Sequence, residues 1–135
     1  MSDDLKAILI VEDDEDIQEI YKRMIQDTFD GVEIVQRLNG AEGLKAVNQQ
    51  KPSLILLDLL MPVMNGEEFL SNLRHKLKLT EIPVVICSVN QSLAHRLLKQ
   101  KEANAVLPKV FSLEDLVKIF DRFLGLHPKE NAPGI

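Results

Sequence analysis

The chain has little of several things that would point elsewhere. There is one cysteine, Cys87, so no internal disulfide can form, and a reducing compartment fits. Tryptophan is absent and aromatics make up only 4% of the residues, which leaves the core to aliphatic side chains. Basic residues are outnumbered by acidic ones, 16 to 21, against the cationic surface that a general nucleic-acid binder needs. No apolar run approaches the roughly 20 residues that span a bilayer. The opening MSDDLK has neither the basic start nor the apolar stretch of a signal peptide, so a cytoplasmic protein without membrane contact is expected. At 135 residues the chain is sized for one domain, taken as 1–125, and the polar, proline-containing 126–135 reads as a disordered tail or linker stub.

What is present is a set of short apolar runs, each ending on a polar side chain. Ala7–Asp14 (AILIVEDD), Leu54–Pro62 (LILLDLLMP), Ile82–Val89 (IPVVICSV) and Ala105–Val110 (AVLPKV) are rich in Ile, Val and Leu. Continuous runs of that kind read as strands covered on both faces, hence as a parallel sheet. Parallel strands end on one edge, where Glu12, Asp13, Asp58, Ser88 and Lys109 would converge. Three carboxylates, a hydroxyl and an ammonium in one place suggest a magnesium site beside a phosphoryl acceptor.

Between these runs the spacing turns helical. Ile17, Ile20, Tyr21, Met24 and Ile25 form one apolar stripe. Val32–Leu38 alternates apolar and polar as a less buried strand, followed by an Asn39-Gly40 turn and a helix from Ala41 to about Gln50. Phe69, Leu70 and Leu73 mark a third helix, Gln91–Lys101 a fourth, and Leu116, Val117, Phe120, Phe123 and Leu124 a fifth. Ser112 and Asp115 match a capping box for that last helix, and Gly125 can end it. The outcome is an α/β fold, a doubly wound (βα)5 three-layer sandwich with right-handed crossovers.

These motifs together resemble the receiver domain of bacterial two-component response regulators, the chemotaxis-regulator type. They are the pair Glu12-Asp13, the run Asp58 to Pro62 followed by Asn65-Gly66, Ser88 closing the fourth strand and Lys109 closing the fifth. The resemblance covers Lys6 to Leu124 and implies a flavodoxin-like, five-stranded parallel sheet in the order 2-1-3-4-5. It implies that Asp58 takes a phosphoryl group from a sensor histidine kinase or histidine phosphotransfer protein. Asp13 and Asp58 would ligate magnesium directly, Glu12 directly or through water, and Leu60 through its main-chain carbonyl. Lys109 and Ser88 would each hold a phosphoryl oxygen. The output would pass to a protein target, or a second copy in a homodimer, through the fourth helix, fifth strand and fifth helix. By this reading the chain is no enzyme beyond its own phosphorylation and dephosphorylation.

Three positions depart from the family's pattern. Val106 stands where an aromatic is usual, Val110 where a proline usually follows the lysine, and Val89 where a small residue usually follows the hydroxyl. Val106 and Val110 leave a second reading open, a phosphorylation-independent scaffold or interaction module of the same fold. A haloacid-dehalogenase-type phosphatase would need a second aspartate where Leu60 stands, and a flavodoxin would need a phosphate cradle where EDDED stands. A DNA-binding regulator would require further chain beyond Ile135.

Overall fold

Val, Ile and Leu alternate around both faces of the central strands because both faces must be covered. The computed structural model describes residues 5–132; residues 1–4 and 133–135, which include the chain start and the end of the expected tail, lie outside the described residues. The five strands are β1 (Lys6–Val11), β2 (Val32–Arg37), β3 (Leu54–Leu57), β4 (Val84–Cys87) and β5 (Ala105–Leu107). The helices are α1 (Glu15–Thr28), α2 (Gly40–Gln49), α3 (Gly66–Ser71), α4 (Gln91–Lys99) and α5 (Leu113–Leu124). All pairings are parallel, and the order is β2-β1-β3-β4-β5. The doubly wound sandwich read from the sequence is therefore the fold observed. No helix among the described residues is long and apolar enough to cross a membrane.

Successive strand residues point to opposite faces, so each strand feeds two cores. Leu9, Val11, Ile55, Leu57, Val84 and Ile86 pack beneath Val47, Phe69, Leu70 and Leu97 of α2, α3 and α4. Ile8, Ile10, Leu54, Leu56, Val85 and Cys87 pack against Tyr21, Ile25, Leu116 and Phe120 of α1 and α5. β2 lies at the sheet edge and is only partly covered, as its alternating pattern predicts.

Polar side chains close the strand-to-helix turns. Asp14, Asn39, Asn65, Asn90 and Ser112 each accept amide protons at the start of the helix that follows. Asn39 is thus the N-cap of α2 rather than part of a free turn, and Ser112–Asp115 forms the expected capping box. Gly66 is required where α3 begins. A Cβ there would stand 2.3 Å from the Asp58 carbonyl oxygen, so only glycine lets α3 start against the end of β3.

Two expectations are corrected. The buried stripe of α1 is Gln18, Tyr21, Ile25 and Thr28, while Ile20 is 51% exposed. The helix is turned so that the Gln18 amide reaches carbonyls at the strand ends, which outweighs burial of one isoleucine. The third helix continues from α3 as a π-helical turn, Asn72–Lys76, in which Leu73 and Arg74 both point inward. The buried Arg74 guanidinium donates to the carbonyls of Glu102 and Leu79 and to Asn104 Oδ1, which satisfies a charge that pure helical spacing would leave outside. Residues 126–132, within the expected tail, lie against the end of α1. Leu126 joins the core, Ala132 is buried, and the Lys129 amide donates to the Thr28 carbonyl at 2.9 Å, occupying an acceptor at the end of α1.

Candidate functional site

Strand order reverses between β1 and β3, so the crevice at their C-terminal ends is where a doubly wound sheet holds its ligand. Val11 and Leu57 are register partners, and the Asp58 amide donates to the Val11 carbonyl at 3.0 Å. The next residue on each strand, Glu12 and Asp58, therefore emerges side by side. Both are buried, at 1% and 2% exposure, with Asp13 open to solvent beside them. One carboxylate oxygen from each of Glu12, Asp13 and Asp58 lies within 4.8 Å of the others.

Lys109 comes from the loop after β5. Its ammonium stands 3.2 Å from Glu12 Oε1 and 3.3 Å from Asp58 Oδ2. The Leu59 amide donates to Asp58 Oδ1 at 2.8 Å, and the Asp14 amide donates to Glu12 Oε2 at 2.9 Å. Glu12 Oε1 is buried and has no aligned hydrogen-bond donor among the described residues, although the ammonium is near. A buried carboxylate oxygen left with charge contact alone keeps a lone pair for a cation. Three hard oxygens that close together suit magnesium.

The electrostatics follow from burial. Desolvation raises Glu12 to about 7, helped by Asp58 and opposed by the Asp14 amide and by Lys109. Asp58 is also raised by burial, with Lys109 and the Leu59 and Leu60 amides pulling the other way. For Lys109, burial lowers the value, but attraction to Asp58 and Glu12 outweighs it and the net shift is upward. The ammonium is therefore the standing counter-charge of the pair.

Ser88 follows β4 and is fully buried, and its Oγ accepts from the Asn90 amide at 3.0 Å. It shares this sheet edge with Asp58 because β3 and β4 are neighbours. Leu60 sits in the turn two residues past Asp58 and is 57% exposed. The site residues named from the sequence thus occupy one sheet edge, with Glu12, Asp13, Asp58 and Lys109 brought together. Asp14 is the cap of α1 instead, through its bonds to the Asp16 and Ile17 amides.

Two supporting glutamines were not legible as such. The two Gln18 Nε2 protons are shared among the carbonyls of Ile10, Glu12 and Arg37, holding the ends of β1 and β2 together. Gln91 Nε2 donates to the carbonyls of Ser88 and Leu107, doing the same for β4 and β5. The signal for Gln18 was its spacing three before Tyr21 and seven before Ile25, which puts it on a buried face.

Comparison with known proteins agrees with this geometry. The family model described as response regulator receiver domain matches residues 8–121. The chain is 31% identical over 126 residues to a probable C4-dicarboxylate response regulator, DctR, of Bacillus subtilis, covering 93% of this chain and 55% of that one. Among solved structures, chemotaxis protein CheY4 of Vibrio cholerae is similar with a TM-score of 0.78 and 27% identity, over 89% of this chain and 99% of that one. Response regulator TrrA of Thermotoga maritima, solved in complex with Mg(2+)-BeF, gives 0.77 and 28% over 89% and 100%. The chain spans between 6% and 55% of the length of the first curated relatives it matches. With the parallel order 2-1-3-4-5 and an acidic crevice at the switch point, the chain belongs to the response regulator receiver domain family of two-component systems.

Proposed function

We propose that this receiver domain is a working phosphoacceptor in which Asp58 takes a phosphoryl group from a phosphohistidine. The observation that carries the reading is the Asp58 carboxylate, buried yet grouped with Glu12 and Asp13 and 3.3 Å from the Lys109 ammonium. An oxygen of Asp58 attacks phosphorus, a P–O bond forms as the P–N bond to the donor imidazole breaks, and the imidazole leaves with its electron pair. Magnesium, when bound by Glu12, Asp13, Asp58 and the Leu60 carbonyl, supplies positive charge where negative charge accumulates. Lys109 exchanges its contact with Asp58 for one phosphoryl oxygen. The Ser88 hydroxyl, its oxygen steadied by the Asn90 amide, donates to another.

The donor is a sensor histidine kinase or a histidine phosphotransfer protein, and the receiver of the signal is a protein. Drawing Ser88 toward the phosphoryl group shifts the turn into α4, and so biases the surface of α4, β5 and α5. Val106 offers no aromatic to follow that movement, so backbone displacement carries it. The similarity to TrrA, solved with Mg(2+)-BeF, supports the metal assignment.

Incubation with acetyl phosphate and magnesium, followed by intact mass, tests the reading. A gain of one phosphoryl group that disappears in Asp58→Asn is expected. No gain in the wild-type chain would instead favour the phosphorylation-independent scaffold.

A further inference from the structure

Tyr21 is the one tyrosine of the chain, and it lies 3% exposed on the inner face of α1. A buried tyrosine needs a partner for its hydroxyl, since otherwise phenylalanine would fill the space without desolvating a polar group. Here the hydroxyl donates to the main-chain carbonyl of Lys109. The ring meets Phe111, with centroids 4.8 Å apart and planes tilted by 30°. One side chain thus grips the residues on both sides of Val110, which is itself 82% exposed. Burial, with the Cys87 thiol and the Glu12 and Asp58 carboxylates nearby, makes the phenol harder to ionise, so it stays a donor.

The grip matters because the sheet does not hold Lys109. Its backbone lies two residues past β5, and the pairing of β4 with β5 ends at Cys87 and Leu107. Yet its ammonium has to meet Glu12 at 3.2 Å and Asp58 at 3.3 Å. A lysine stem has four flexible carbons, so the place of the ammonium depends on where the main chain is anchored. Anchoring from α1 sets that place relative to Glu12, because α1 follows directly on the acidic turn at the end of β1.

We propose that Tyr21 is a positioning residue for phosphoryl transfer: its hydroxyl, through the Lys109 carbonyl, and its ring, through Phe111, fix the loop after β5 so that the Lys109 ammonium stands between Glu12 and Asp58. The proposal rests on Asp58 being the phosphoacceptor, and it assigns Tyr21 no contact with the phosphoryl group. It places the aromatic that governs this loop on α1, in a chain whose β5 carries Val106.

The test compares Tyr21→Phe, which keeps the ring and removes the hydroxyl, with the wild type, with Lys109→Met and with the double variant. Phosphoramidate and magnesium serve as reagents and intact mass as the readout. Tyr21→Phe should lower the maximal rate by roughly tenfold while leaving the half-saturating phosphoramidate concentration unchanged, as expected when a catalytic group is misplaced. In the Lys109→Met background the same change should add nothing, because its effect passes through the lysine. An unchanged rate in Tyr21→Phe, or the same loss with and without Lys109, overturns the proposal. A second readout needs no phosphoryl transfer. In protein carrying 13C-lysine, the Cε resonance of Lys109, assigned by its loss in Lys109→Met, should move in Tyr21→Phe with the far-UV spectrum unchanged. A resonance that stays put overturns the proposal. A wild type that takes up no phosphoryl group while the resonance still moves defeats the phosphoacceptor reading and leaves the positioning of Lys109 supported.

Discussion

The Lys109 ammonium sits 3.2 Å from Glu12 Oε1, yet Glu12 is still raised to about 7. Burial at 1% exposure outweighs the ion pair, which marks the crevice as short of positive charge.

That balance sets a pH dependence. The ordinary value for Glu12 is 4.5, so between 4.5 and about 7 the folded protein binds a proton that the unfolded chain does not. Stability from this group is full below 4.5 and is lost as pH rises through about 7. Asp58, also raised, acts in the same direction. In EDTA, the urea midpoint should fall on going from about pH 5.5 to about pH 7.5, and Glu12→Gln should flatten that fall. Magnesium held as proposed through Glu12 would compete with the same proton, so its affinity should be about tenfold tighter at about pH 8 than at about pH 6. Isothermal titration at the two pH values checks this, and equal affinities would refute it.

Gln18 holds three carbonyls at the ends of β1 and β2 with one buried amide. Gln18→Leu keeps the volume and removes this donor, although the Arg37 carbonyl keeps the Glu12 amide at 3.0 Å. A loss of about 2–3 kcal/mol in urea unfolding is expected, together with weaker magnesium binding, because the Glu12 carbonyl is one of the three. Full retention of both would mean that the amide only fills space.

Val63 has a backbone φ of 69°, and it is 81% exposed. A β-branched residue is strained there, and no packing compensates for the strain. The Met64 amide donates to the Pro62 carbonyl at 2.7 Å, closing a γ-turn with Val63 at its centre, so Val63→Gly should raise stability by about 1 kcal/mol, read as a higher urea midpoint with an unchanged slope. A midpoint at or below that of the wild type would show the strain to be absent.

Val89 follows Ser88 and is 69% exposed. We propose that its branched side chain crowds the approach of attacking water, so that Val89→Ala should shorten the life of the phosphorylated form by about threefold, roughly 0.7 kcal/mol of barrier. The decay of phosphorylated protein followed by intact mass decides the matter: identical lifetimes in the two proteins would end the idea.

Legibility differed from element to element. The apolar runs around Ile10, Leu56 and Val85 could only be central strands, since both of their faces are greasy, and the residue after each run was thereby placed on one edge. Ser112 and Asp115 announced α5 through capping chemistry that is complete within four residues. The rotation of α1 was only half readable: spacing put Gln18 in line with Tyr21 and Ile25, but the carbonyls of β1 and β2 that satisfy its amide lie outside the helix. The π-helical turn was hidden likewise, since the acceptors for Arg74 come from Leu79, Glu102 and Asn104.

Local pattern alone determined this chain's strands, its helices and the polar side chain that ends each run, because hydrophobic period and capping are short-range properties. Only the folded arrangement decided how acidic Glu12 and Asp58 are, which carbonyls Gln18 and Tyr21 hold, and that 126–132 folds back on α1. Desolvation and hydrogen bonding depend on what lies across space, and Lys109 meets Glu12 across a sequence separation of 97 residues.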